Sequence, residues 1–527
     1  MLSALTQKHS SRYKPSVNDP AKPLRFPWLW LLATLPAAGL WTMFILRNNN
    51  LEMQAIDLAH HVMFVAHLQT PWGEADPQFV GLYPVTSHRV ATAWLPVFHD
   101  PVQAIRAASI VTLLVMLVAQ WYLLRSQLPA SIAMLLMFAW QVLCTHCKLG
   151  DVNHYMWDFQ YNYSRAVSAA ALWVMILAFV VPPFQNRVFS FFFCLGLATF
   201  AFRCHIAAGA LALGTLGVWC VVKLIKRDWI IGGGGLVALA LTSAALLAFT
   251  DEWRYLASLS ADNGPMPIRN VVLYRWSVQP DVRTDKHGMT DPEQFLGLID
   301  LWIPTAIGGL LFALKRAVTG IPLDLATAVL CGLIPAAVLQ GYMLYGKNVT
   351  HTVGTYPYNQ MLFYTFELST LFWIVILSPL LKLLPSTILS RVLAVAVTGW
   401  GLYAMLETDM KRKKFSDDRD VMAVIRELRE HREDFAGHYY YDPDQEIGSY
   451  LVTRVVQGPA ALKTAEYRLH VHLRQPKKLL AEPGLKGLFM PGDVDATAIF
   501  GDRITPAMSH VGSFQRIDFK ALPAESK

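Results

Sequence analysis

The sequence predicts an α-helical polytopic membrane protein with a C-terminal soluble α/β domain, and three observations carry that prediction. Apolar residues make up 54% of the 527-residue chain and charged residues 16%, where soluble domains carry roughly a quarter charged. The deficit is local, because charges are sparse from Pro27 to Leu406 and ordinary from Glu407 to Lys527. Lys and Arg also gather at the ends of apolar runs, as orientation in a bilayer requires. A nucleic-acid partner would need them along one face instead, so the net charge of +7 reads as a lipid-bilayer signature.

Runs of about 17–25 apolar residues can cross a membrane, and on that rule the chain holds about eleven spans. They fall near Pro27–Leu46, Ala104–Leu124, Leu128–Cys144, Ala166–Val181 and Val188–Phe202. The others fall near Ile206–Leu224, Trp229–Phe249, Gly297–Leu314, Pro322–Leu344, Met361–Leu381 and Ile388–Leu406. The first run lacks a small-residue cleavage site, so it is expected to stay in the membrane. At Arg203 the turn is so short that a kink in a re-entrant pair competes with a hairpin.

Orientation follows from the basic turns. Lys8, Arg12, Lys14, Lys22 and Arg25 keep residues 1–26 cytoplasmic. Threading the spans in order puts Arg125, Arg187, the group Lys223, Lys226 and Arg227, the pair Lys315 and Arg316, and Lys382 with Arg391 on that same side. The transmembrane domain is then 27–406, with extracytoplasmic loops 47–103, 148–165, 250–296 and 345–360. The tail, 407–527, follows on the loop side. Lys411-Arg412-Lys413-Lys414 pulls the other way, and an error of one span near Arg203 would flip the tail. Within it, Val421, Val424, Ile425 and Leu428 have the spacing of an amphipathic helix. Ser449–Val456 and Tyr467–Leu473 read as strands between Gly-Pro and Pro-Gly turns.

Candidate chemistry concentrates in the loops. In Glu52-Met-Gln-Ala-Ile-Asp57-Leu-Ala-His60-His61, the residues Asp57, His60 and His61 share one face of a helix. A carboxylate backed by imidazoles accepts a proton from a hydroxyl, or holds a divalent cation that binds a phosphate. Tyr83-Pro84 leads into a semi-apolar helix, Val90 to Phe98, lying along the membrane, with His88 and Arg89 beside an anionic headgroup. The second loop gathers Lys148, Asp151, His154, Trp157, Asp158, Tyr161 and Arg165. Carboxylates and amides hold sugar hydroxyls and aromatic faces hold sugar C–H surfaces, whereas an interfacial belt would explain only the aromatics.

Arg203-Cys204-His205 stands at the membrane boundary, where an arginine is costly unless paired. With Lys148, Arg165 and Lys347 it can hold a lipid phosphate. His351 and Tyr358 lie on the same side, and Glu367 is isolated within a span. Cys144-Thr-His-Cys147 is a weak metal signal, and a local disulfide is the better reading. No P-loop, GxGxxG, HExxH or nucleophile elbow stands in a fitting context, which argues against NTP-driven or hydrolytic chemistry at a soluble site.

An acidic residue just after the first span, a long first loop with helices on the membrane, an acidic second loop and a distal soluble domain together resemble the GT-C superfamily of glycosyltransferases. The likeness covers the architecture of most of the chain, and its motif-level part is confined to Glu52–His61 and Asp151–Asp158. The resemblance implies a polyprenyl-phosphate-linked sugar donor, a protein or glycan acceptor and a multi-pass place in a bacterial inner (plasma) membrane. It maps the family's catalytic acidic residue onto Asp57. Within the superfamily the layout is similar to bacterial arabinofuranosyltransferases, which would make the sugar a pentose. There is no Asp-Asp pair at Asp57, which leaves the need for a metal open. A carrier or flippase for lipid-linked sugars is the competing class, although the paired halves usual in transporters are missing. An O-antigen polymerase or ligase is the third reading.

Overall fold

The computed structural model describes residues 85–99, 101–128, 163–250, 303–314, 323–345, 421–444, 476–481 and 484–522. It also describes positions between 61 and 68, 133 and 137, 367 and 379, and 449 and 457, and a few others. The described part is mostly helical, with one small sheet near the C-terminus.

Two short helices, α1 (Thr86–Thr92) and α2 (Leu95–Phe98), precede the long α3 (Pro101–Gln127). The sequence reading begins this helix at Val90 and runs it unbroken to Phe98. The structure begins it at Thr86 and breaks it at Ala93–Trp94, because the ring of Pro96 would clash with the carbonyl four residues earlier and is tolerated only in a first turn.

Next come α4 (Tyr163–Val180), α5 (Arg187–Cys204) and α6 (Ile206–Ile225), then a π-turn at Ile230–Gly234 that runs into α7 (Gly235–Phe249). Five segments are long and apolar enough to cross a membrane: Gln103–Gln127, Tyr163–Val180, Arg187–Cys204, Ile206–Ile225 and Ile230–Phe249. Each coincides within a few residues with an expected span. Shorter apolar helices occupy Leu323–Leu339, inside α9 (Leu323–Tyr345), and Glu367–Pro379; α8 (Ile303–Ala313) lies between α7 and α9. Pro27–Leu46 lies wholly outside the described residues, as do Ile388–Leu406 but for one position and most of Leu128–Cys144. Cys144 and Cys147 are outside too; Cys194, Cys204, Cys220 and Cys331 are buried free thiols.

The turn at Arg203 is a hairpin, not a kink. Arg187 Nη1, at the start of α5, lies 3.1 Å from Asp228 Oδ2, just past the end of α6, so the two helices run antiparallel. Lys226 Nζ stands 3.9 Å from Asp324 Oδ1 at the start of α9, and Phe179 near the end of α4 stacks on Trp219 with centroids 4.7 Å apart. At the opposite end, the hydroxyl of Ser168 on α4 is 3.1 Å from the carbonyl of Ala201 on α5, and Leu246 of α7 clusters with Phe202 and Ile206. From α4 to α7 the helices therefore alternate in direction, α3 and α4 start at the same end, and the helices that border 148–165, 250–296 and 345–360 meet those loops at one common end.

Between apolar helices in lipid there is little hydrophobic drive, so close van der Waals packing must hold them. The main core accordingly alternates Ala166, Ala169, Ala170, Ala198, Ala201, Ala208 and Ala212 with Trp121, Trp173 and Leu211. Gly214 of α6 lets Pro335 of α9 approach so closely that an added Cβ would sit 2.7 Å from the ring.

In the tail, α10 (Val421–Glu430) buries Val424, Ile425 and Leu428 as its spacing predicts, and α11 (Arg432–Phe435) follows. A four-stranded sheet orders β1 (His438–Tyr440), β2 (Gly487–Pro491), β4 (Phe514–Asp518) and β3 (Met508–Val511) as β1-β2-β4-β3; α12 (Ala496–Phe500) lies between β2 and β3. β1 and β2 are parallel, so the chain between them must cross over. That crossover corrects the strand expected at Ser449–Val456. Ser449, Val452, Thr453 and Val456 are helical and all buried, which is spacing i, i+3, i+4, i+7 and not alternation. The hydroxyl of Ser449 accepts from Asp442 N and that of Thr453 from Tyr440 N, docking this helix on β1. Tyr467–Leu473 lies outside the described residues.

One core cluster joins the tail to the helices. It takes Val62, Phe64, Val65 and Ala66, Ala91 and Leu95, Ala104 and Ile105, and Tyr163 and Cys204, together with Val424, Ile425, Leu428, Phe489 and Phe514 of the tail. The tail thus packs at the same end of the helices as the residues of loop 47–103.

Candidate functional site

That shared end is also where polar side chains are buried together. His61 lies in a helical stretch with Val62, Phe64, Val65 and Ala66, and all five are buried to 2% exposure or less. Its Nδ1 is 2.7 Å from Nε2 of His88, which is wholly buried on α1. The two rings lie 26° from parallel with centroids 5.0 Å apart. Phe64 packs on His88 from one side and the edge of Tyr163 from another.

From His88 the polar contacts continue into the membrane body. Ser87 Oγ is 3.4 Å from His88 Nδ1 and 2.7 Å from Ser164 Oγ on α4. One turn on, the hydroxyl of Ser168 is within hydrogen-bond reach of the carbonyls of Ser164 (2.9 Å) and Ala201 (3.1 Å). Each such bond contributes about 0.6 kcal/mol in a membrane interior. Losing one partner costs more, since the other is left buried and unsatisfied.

His205 separates α5 from α6. Its backbone is extended, and its Nδ1 accepts from Ala208 N at 3.3 Å as the cap of α6. Arg203 is in the last turn of α5 and Arg165 in the first turn of α4, both half-buried, and Arg106 is buried near the start of α3. Three arginines therefore come from three helices at the same end of the bundle.

Of the site residues expected from sequence, the structure describes His61, His88, Arg165, Arg203 and His205. It brings His61 and His88 into direct contact and places the other three on helix ends nearby. His88 is buried against His61 while Arg89 is exposed, so of the two residues expected at a headgroup only Arg89 reaches outward. Glu52, Asp57, His60, Asp151, Asp158, Tyr161, Lys347, His351 and Tyr358 lie outside the described residues. Glu367, expected to be isolated in its span, is buried and accepts from the Trp173 indole N–H at 2.5 Å. Among the described residues no three His, Cys, Asp or Glu side chains stand close enough to hold a metal ion.

Sequence reasoning passed over Ser87, Ser164, Tyr163 and Arg106. Serines in apolar helices commonly bond their own backbone, so Ser87 and Ser164 carry no signal until α1 and α4 are seen packed together. Arg106, a charge in the first turns of an expected span, was the one legible clue.

No family model matches the sequence, and no curated protein matches it. Among solved structures, the chain is similar to the archaeal oligosaccharyltransferase AglB from Archaeoglobus fulgidus, in complex with an inhibitory peptide and a dolichol-phosphate. Identity is 11% and the TM-score 0.37, over 89% of this chain and 70% of that one. At that score the likeness carries no argument about fold or activity.

Proposed function

We propose that the protein is an inverting membrane glycosyltransferase of GT-C type. In this reading it moves a sugar, a pentose such as arabinofuranose on the family resemblance, from a polyprenyl-phosphate donor to a protein or glycan acceptor on the extracytoplasmic face. The observation that carries it is that buried imidazoles and Arg106, Arg165 and Arg203 lie at the same end of apolar helices. That end has both the acid–base groups and the positive charge that such a transfer needs, beside a lipid phase.

Asp57, four positions before His61 in the sequence, deprotonates the acceptor hydroxyl, tuned by His60 or His61. Arg203, Arg165, Lys347 and His205 stabilise the departing lipid phosphate, where negative charge develops. Glu52, Asp151, Asp158, Tyr161, His351 and Tyr358 position the sugar. A divalent cation is compatible with the acidic loops. The lipid chain lies between helices, and residues 407–527 recognise the acceptor.

Label transfer from a panel of synthetic polyprenyl-phosphate sugars by the purified protein tests this. Transfer that falls at least a hundredfold in Asp57→Asn, in protein that still unfolds normally, is expected. Full turnover by Asp57→Asn removes Asp57 as the base. Net flux of a lipid-linked sugar across proteoliposomes without a covalent product overturns the enzyme reading.

A further inference from the structure

We propose that a groove beside Lys226 and Asp324 binds one phospholipid with a phosphoethanolamine headgroup, a zwitterion that carries both a phosphate and a primary ammonium. The groove lies at the end of the helices away from the His61–His88 pair, and the proposal stands apart from sugar transfer.

The site begins with the way α6 stops. Arg227 has a φ of 62°, the left-handed conformation that commonly closes a helix. Its N–H donates to the carbonyl of Leu224 and that of Asp228 to the carbonyl of Lys223, both at 2.9 Å. This double cap strains a residue that has a side chain, and it fixes Lys226 at the corner between Ile206–Ile225 and Ile230–Phe249. Headgroups belong at this level. Trp229 is 68% exposed there, as tryptophans at a membrane interface are, and Lys223 Nζ lies 4.9 Å from the Trp219 ring centre.

The groove is walled by α8, α9 and the helix at Glu367–Pro379, and it encloses about 450 Å³ with its open mouth included. Lys226 and Asp324 are the exposed members of its lining, while Leu330 and Phe372 are buried. Thr327 also lines it, but its hydroxyl donates to the Leu323 carbonyl of its own helix at 2.6 Å. An apolar trough with a charged rim, in a protein that lies in lipid, fits an acyl chain along its walls and a headgroup at its edge.

The two rim charges select the headgroup. Lys226 Nζ and Asp324 Oδ1 are 3.9 Å apart, with side chains 43% and 72% exposed. That separation is longer than a hydrogen bond, so the two do not saturate each other. A phosphate on Lys226 and an ammonium on Asp324 form two charge-assisted hydrogen bonds, and the ethylene linker lets one headgroup reach both. Phosphatidylglycerol offers Asp324 no cation, and phosphatidylcholine offers it a cation with no N–H to donate. The neighbouring carboxylate, Asp228, is already held by Arg187 at 3.1 Å and lies 3.4 Å from Ile231 N, which leaves Asp324 to meet the ammonium.

Native mass spectrometry of the full-length protein in detergent tests this, with phosphatidylethanolamine, phosphatidylcholine and phosphatidylglycerol of the same acyl chains. One phosphatidylethanolamine should be retained about tenfold better than either of the others, the effect of one charged hydrogen bond. Asp324→Ala should remove that preference, whereas Lys226→Gln should weaken all three lipids, since each carries a phosphate. Thr327→Phe, which fills the groove and leaves both charges, should also weaken all three, in protein that unfolds normally in lipid-free detergent. Equal retention of the three lipids, better retention of phosphatidylglycerol, or a preference that survives Asp324→Ala overturns the site. Displacement by soluble glycerophosphoethanolamine, with no effect of Thr327→Phe, also overturns it, because the groove would then hold no acyl chain.

Discussion

Gly209 stands where α6 turns back against α5, and a Cβ placed on it would lie 2.0 Å from Phe202 Cα. Backbone cannot yield to a methyl group there without opening the hairpin at Arg203-Cys204-His205. Gly196, in the middle of α5, has nothing within 4 Å of such a Cβ. Gly209→Ala should therefore lower stability by at least the 1–3 kcal/mol typical of roughly one added methylene in a packed site. Gly196→Ala should be neutral or gain up to about 1 kcal/mol from helix propensity. Thermal unfolding of both in one detergent checks this; equal effects would mean that the hairpin corner is not close-packed. At this scale the sequence is half legible. His61 could be chosen from the i, i+3, i+4 spacing with Asp57 because helix periodicity is local. Its contact with His88 spans 27 positions and depends on how two helices pack, which no local pattern encodes. Ser87 and Ser164 are the extreme case, being ordinary residues whose 2.7 Å approach depends wholly on how α1 and α4 pack.

Helices that cross a membrane are written plainly in sequence, since each must satisfy its backbone within itself and present about 20 apolar residues to lipid. That is why α4, α5, α6 and α7 fall where apolar runs predict them. The tail is less legible, because a short buried helix and a short buried strand are both brief apolar runs. Ser449–Val456 reads as a strand because it is a short run bounded by turn residues, while its burial pattern has helical period. The β1 strand carries a testable consequence of its own burial. His438 is 3% exposed, and burial holds its imidazole below its ordinary value, with Arg516 acting in the same direction against a weaker pull from the Ala436 carbonyl. A histidine kept neutral in the folded state binds its proton more readily when unfolded. Its contribution to stability is thus complete above the ordinary pKa of about 6.5 and declines as pH falls below it. Hydrogen exchange in β2, paired to His438 through Gly487, should quicken between pH 7.5 and 5.5 beyond the intrinsic change. His438→Gln should flatten that dependence. Exchange in β2 that is insensitive to pH in the wild type would show that β1 does not limit opening of this sheet.

The whole molecule has two unlike ends. Arg187, Lys223, Lys226, Asp228 and Asp324 gather at one, tied by the Arg187–Asp228 and Lys226–Asp324 pairs. The other holds the His61–His88 pair, the ends of α5 and α7 and, through one continuous core, the tail. Positive charge near short loops is retained on the cytoplasmic side, so the first end is the one expected inside. Lys411-Arg412-Lys413-Lys414 argued from sequence for a tail on that inner side. Packing of Val424, Ile425 and Leu428 with Ala91, Leu95 and Tyr163 argues the reverse, since a folded domain cannot lie against residues across a bilayer. Single cysteines decide between them, in a chain whose Cys144 and Cys147 are changed to Ser. Ala93→Cys next to α1, Ser513→Cys in the β3–β4 turn and Gln185→Cys before α5 are all exposed positions. A membrane-impermeant maleimide applied to intact cells should label Ala93→Cys and Ser513→Cys alike and reach Gln185→Cys only after lysis. Labelling of Ala93→Cys and Gln185→Cys from one side would deny that an odd number of crossings lies between α1 and α5. Labelling of Ser513→Cys only after lysis, with Ala93→Cys reactive in intact cells, would separate the tail from the loop end and remove it as the acceptor-binding part of the enzyme.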